Sequence, residues 1–94
     1  MGANEEFEWD EARRISNIEK HGFDFLDGIE LFDNPHLTSI ANTHKGEERW
    51  VAIGMIGNEY AAAIYTRRGR TVRLISLGSA RRKQRRRYDQ VFKS

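Results

Sequence analysis

Apolar and polar positions change rhythm several times along this chain, and each change marks an element. Phe7 and Trp9 alternate with Glu6 and Glu8, the two-residue period of a short half-buried strand. Asp10 then supplies a helix cap with Glu11 at the positive end of the helix, Ile15 and Ile18 form an apolar edge, and Gly22 is a left-handed stop. A second helix opens at Asp24 and Asp27. Its apolar stripe is Phe25, Leu26, Ile29 and Phe32, read as core, and Asn34-Pro35 ends it.

The period shortens again from Leu37. Leu37 to Ala41 reads as a strand and Asn42 to Gly46 as a polar loop. Arg49 to Ile56 is a longer strand with Val51, Ile53 and Met55 on one face and Trp50, Ala52 and Gly54 on the other. Gly57-Asn58 is a hairpin turn, Glu59 to Thr66 the next strand, Arg68-Gly69 a second turn, and Thr71 to Leu77 the last strand. Ser79 to Phe92 returns to helix-forming residues, with Ser79 as the expected N-cap and a sparse stripe of Ala80, Tyr88 and Val91. The predicted class is α+β: a small antiparallel sheet with two N-terminal helices and one Arg-rich C-terminal helix.

Composition narrows this reading. Residues 1–94 make a single domain, and 38% hydrophobic residues suffice for one compact core. The chain has no cysteine, so no disulfide or thiolate metal site is available. No apolar run approaches the ~20 residues that span a bilayer, and the acidic N-terminus is unlike a signal peptide, so the expected location is cytoplasmic, away from membranes.

Charge changes the picture more. Residues 1–33 carry ten acidic and three basic side chains, whereas residues 67–94 carry one acidic and eleven basic. The formal net charge of +2 conceals this polarity. A basic segment of this density suits a polyanion such as nucleic acid, or is a solvated face. Like charges three and four apart on the last helix repel, so it would gain from an anionic partner or from docking on the acidic N-terminal layer.

Seven blocks carry a family resemblance. Phe7-Glu8-Trp9-Asp10-Glu11, Asn17 with Lys20-His21-Gly22, and Phe25 with Phe32-Asp33 resemble the opening of the BrnT family, toxins of bacterial type II toxin–antitoxin pairs. Glu47-Glu48-Arg49-Trp50 with Gly54, Tyr65-Thr66 with Arg68-Gly69, Val72-Arg73-Leu74-Ile75-Ser76, and Arg85-Arg86-Arg87-Tyr88 follow in order across essentially the whole chain. The resemblance implies a RelE-like fold and a ribonuclease that halts translation. It also implies a cognate BrnA-type antitoxin that neutralises it, operator DNA reached only through that antitoxin, and a toxin dimer within the complex. Three positions depart from the family pattern: Gly78 stands where an arginine is usual, Gln84 where a glutamate precedes the closing Arg run, and Arg67 where a glutamate often follows Thr66.

Metal-independent cleavage of RNA uses the substrate's own 2′-hydroxyl as nucleophile. The protein must align it, take its proton, stabilise charge on the phosphorane and protonate the leaving 5′-oxygen. Arginine suits the charge-stabilising task because its planar fork grips two phosphate oxygens. Arg73 lies mid-strand, facing either solvent or a groove, and the resemblance favours the groove; Arg49 and Arg68 come from the neighbouring strand and turn. Glu48, His21 and Tyr65 are the candidate proton handlers, although His21 before Gly22 also suits a helix C-terminus. Arg67, Arg70, Arg81, Arg82 and Arg85 would extend the RNA-binding surface. No metal-ligand spacing is present and no cofactor is expected. Two other readings use the same residues: a catalytically lapsed relative that binds an antitoxin, motivated by Gly78 and Gln84, and a plain nucleic-acid-binding domain.

Overall fold

The computed structural model describes residues Glu5 to Lys93. Its elements in chain order are β1 (Glu6–Glu8), α1 (Glu11–His21), α2 (Phe25–Asp33), β2 (Leu37–His44), β3 (Glu47–Ile56), β4 (Glu59–Arg68), β5 (Thr71–Ser79) and α3 (Arg82–Phe92). Five strands form one sheet in the order β1-β5-β4-β3-β2. β2 through β5 are an antiparallel meander, as the alternation predicts, but the sheet is mixed, because β1 joins β5 in parallel with Phe7 opposite Val72 and Glu8 opposite Arg73. The two helices carry the chain to the far edge, and three reversals bring β5 back beside β1 running the same way. A partner 65 residues distant leaves no local trace, so the sequence reading of a wholly antiparallel sheet is corrected here.

The first two helices follow their caps. Asp10 Oδ1 accepts from Ala12 N at 2.8 Å and Arg13 N at 3.3 Å, and Gly22 closes α1 at φ 75°. Asp24 Oδ1 accepts from Leu26 N at 3.0 Å at the start of α2. The expected core stripe of α2 is shifted, because the helix turns Phe25, Gly28, Leu31 and Phe32 inward while Leu26 is 54% exposed. Gly54 lets α2 lie close on β3: a Cβ there would meet Leu31 Cγ and His36 Cβ at 3.2 Å.

Two other boundaries move. The predicted loop at 42–46 is mostly strand, since β2 runs to His44 and turns through Lys45 and Gly46, both at positive φ. The last helix begins at Arg82 rather than Ser79, because Ser79 still pairs with Ala61 in the sheet. Strand pairing overrides a favourable capping residue.

The sheet is covered on both faces. α1 and α2 bury Phe25, Leu31, Phe32, Ala52, Tyr65, Val72 and Leu74 on one side. On the other, α3 brings Ala80 and Tyr88 onto Val51 and Ile53. The basic helix therefore lies across the sheet from the first two helices rather than on them. α1 is fixed by the buried Asn17, which donates to the carbonyls of Phe23 and Leu77 at 2.8 Å and accepts from Leu77 N at 3.0 Å. β1 covers only Thr71 to Arg73 of the β5 edge, and Asn17 satisfies that edge further along.

Candidate functional site

Alternation along β3, β4 and β5 decides which side chains share a face. Val51 and Ile53 lie under α3, so Arg49, two residues earlier, stands on the same side. Thr66 and Arg68 follow Ile64 on that side of β4, and Arg73 stands opposite Thr66 on β5. Arg49, Arg68 and Arg73 thus share the α3 face of the sheet, beyond the end covered by α3. Glu8 of β1 completes the row, accepting from Arg73 Nη1 at 3.0 Å. Arg68 is more exposed and meets Glu47 at 3.4 Å.

Arg49 differs from its neighbours. Its Nε is buried and has no hydrogen-bond partner among the described residues. A buried donor left unmade costs about 1–3 kcal/mol, which an incoming acceptor such as a phosphate oxygen would relieve.

A groove of about 490 Å³ adjoins this row, floored by Val51, Ala62 and Ile64 and rimmed by His21, Ser76, Arg81 and Gln84. His21 is carried here by the end of α1, and its ring lies against Gly78: a Cβ at Gly78 would stand 3.5 Å from His21 Cγ and Nδ1. A smaller cavity of about 210 Å³ shares His21 and Ser76 and adds Arg13 and Lys20. Gly78 thus leaves open the space between His21 and α3. Gln84 closes half of a capping box, its Oε1 accepting from Arg81 N at 2.8 Å; an arginine side chain has no acceptor with which to return the bond.

Other sequence candidates lie apart. Glu48 alternates with Trp50 and Ala52 and stands on the opposite face, in a cavity of about 620 Å³ with His36, Trp50, Tyr65 and Arg67. The sheet separates it from the three arginines. Tyr65 is 3% exposed, packed edge-on against Phe32 at 5.1 Å, and burial pushes its phenol up from the ordinary value. Arg67 pairs with Glu5 at 2.7 Å on that side. Arg70 is exposed in the β4–β5 turn.

The α3 arginines divide. Arg81 rims the groove, whereas Arg82, Arg85 and Arg86 line a separate cavity of about 540 Å³ around Tyr60. Arg85 lies over the Tyr60 ring at 5.9 Å, and the Tyr60 hydroxyl donates to Asp89 at 2.8 Å. Among the described residues none of Arg81, Arg82, Lys83, Arg85, Arg86 and Arg87 forms an ion pair.

Sequence reasoning missed Glu8, Thr66 and Asn17. Alternation with Phe7 and Trp9 does assign Glu8 to the face away from α1 and α2, but its meeting with Arg73 depends on the β1–β5 pairing.

Comparisons with known proteins agree with the resemblance. Residues 9–84 match the family described as ribonuclease toxin, BrnT, of type II toxin–antitoxin system. The fold is similar to the crystal structure of the Brucella abortus ribonuclease toxin BrnT, with 33% identity and a TM-score of 0.64 over 84% of this chain and 100% of that one. A comparison with curated proteins finds no match.

Proposed function

The chain belongs to the BrnT family of ribonuclease toxins of type II toxin–antitoxin systems, and from that membership we propose that it cleaves RNA without a metal ion on the α3 face of its sheet. The observation that carries this reading is the row Glu8–Arg73–Thr66–Arg49, with a buried guanidinium Nε at one end that has no partner among the described residues. Arg49 and Arg73 grip the scissile phosphate and stabilise charge as the phosphorane forms. Arg68 steers the backbone from the exposed rim. Glu8 holds Arg73 in place and is the carboxylate available to take the 2′-hydroxyl proton, the task that Glu48, beyond the sheet, is badly placed to perform. His21 at the adjoining groove is the group available to protonate the leaving 5′-oxygen.

The arrangement, a sheet with two helices on one face and a site on the other, is RelE-like, and the substrate is messenger RNA in the cytoplasm. The partner that a type II system requires is a BrnA-type antitoxin, whose acidic segment lies along α3, where six cations have no ion-pair partner among the described residues. Operator DNA is reached through that antitoxin, and two toxins assemble in the complex.

The test is cleavage of a defined RNA in excess chelator by the purified chain and by Arg49→Ala and Arg73→Ala, with thermal unfolding in parallel. Each variant keeps its fold and loses cleavage by about 10²-fold or more, the scale seen when a charge-stabilising donor is removed. Undiminished cleavage by both variants would overturn the site.

A further inference from the structure

Resting on the reading of the guanidinium row as a phosphate grip, we propose that the groove beside it is a nucleobase pocket that selects guanine at the cleavage site. Its place follows from strand geometry. Val51 and Ile64, which floor it, lie two residues along their strands from Arg49 and Thr66, on the same face. Two residues along a strand are about 7 Å, the separation between a phosphate and its own base in an extended nucleotide. A backbone held by Arg49 and Arg73 therefore delivers a base onto Val51, Ala62 and Ile64.

The lining is that of a base site rather than a second phosphate site. Val51, Ala62 and Ile64 give it an aliphatic floor suited to a flat ring, with Ser76 of β5 beside Ile64 and His21, Arg81 and Gln84 as its further polar groups. The rim is rich in donors on the α3 side. Gln84 engages its carbonyl oxygen with Arg81 N, which leaves its amide N–H₂ to donate, and Arg81 lines the same groove. Two adjacent donors fit the O6 and N7 acceptors of guanine; adenine offers a donor at one of those positions, and cytosine offers one where guanine has O6. Gly78 keeps the pocket open, since a side chain there would project beside His21.

Two measurements test this. In the first, methyl groups of Val51, Ala62 and Ile64 are followed by NMR while nucleoside 3′-monophosphates are added to the wild-type chain, with ribose 5-phosphate as control. Guanosine 3′-monophosphate should shift these methyls at about tenfold lower concentration than the other nucleotides, the discrimination expected of a good paired contact, and ribose 5-phosphate should leave them unmoved. Equal response to all four nucleotides, or none, overturns the pocket. In the second, cleavage sites are mapped for the wild type, Gly78→Leu and Gln84→Ala. Both variants should lose the preference for guanine, so that the ratio of cuts at guanine to cuts at other bases falls about tenfold; an unchanged pattern in both overturns the proposal. Failure of the nuclease reading is distinguishable, because a wild type that cleaves nothing still reports base binding in the titration.

Discussion

Arg49 places a guanidinium at the edge of the core with its buried Nε unsatisfied among the described residues. Arg49→Lys should fail to restore cleavage lost in Arg49→Ala, because an ammonium cannot reproduce the planar fork; parallel assays of the two variants check this. Asn17 is the opposite case, a buried amide with every bond made. Asn17→Ala removes three hydrogen bonds and leaves both backbone groups of Leu77 and the Phe23 carbonyl without that partner. The expected loss is roughly 3 kcal/mol, read by denaturant unfolding. Glu8→Gln separates proton transfer from positioning: a carboxamide still accepts from Arg73 but is a poor base. Cleavage assays should show kcat falling far more than substrate affinity.

Caps and strand ends carry the predictions that belong to elements. Asp24 closes the start of α2 and bonds to Arg14 at 2.8 Å. The Leu26 N–H, together with Arg14, holds its carboxyl below the usual range, against the opposing pull of partial burial. A carboxylate depressed in the folded state contributes stability above its unfolded value of about 4, and that contribution is lost as pH falls through the folded value. Stability should therefore decline below about pH 4, and Asp24→Ala should remove part of that decline while costing roughly 1 kcal/mol at neutral pH. Chemical denaturation at pH 7 and pH 3 measures both. Caps were legible because they are made within three residues; Asp10, Gly22 and Asp24 act where the sequence places them. The start of α3 was not, because pairing of Ser79 with Ala61 extends the strand through a residue that locally favours a helix start.

Charge is organised on the scale of the whole molecule. α1 and α2 occupy one face of the sheet and α3 the other, so the cations of α3 are not neutralised by the first two helices. The N-terminal carboxylates that do meet the basic segment, Glu5 and Glu8, pair with Arg67 and Arg73 of the sheet. Within α3, Arg82 repels Arg85 and Arg86, and Lys83 repels Arg86. Arg82→Gln combined with Arg86→Gln should raise stability by up to about 1 kcal/mol, since each like-charge pair costs a few tenths. The same double variant should weaken RNA or antitoxin binding and flatten its dependence on salt. Opposite signs in unfolding and in binding titrations identify a helix shaped for a polyanion; equal binding at all salt concentrations would assign those cations to solvent alone.

The order of elements, their amphipathic faces, the caps of the first two helices and the uneven distribution of charge were determined by the chain itself, because each depends on residues a few positions apart. Arg49 and Glu48, grouped in one candidate site by the sequence reading, fall on opposite faces because the strand begins at Glu47 rather than Arg49. Tertiary structure decided what lies opposite each face: that β1 pairs parallel to β5 and carries Glu8 to Arg73, that His21 reaches Gly78, and that Asn17 serves the open edge of β5. Those meetings join residues about 60 positions apart in the sequence. Their energy comes from satisfying buried polar groups and covering apolar surface in the assembled sheet, which a local pattern does not encode.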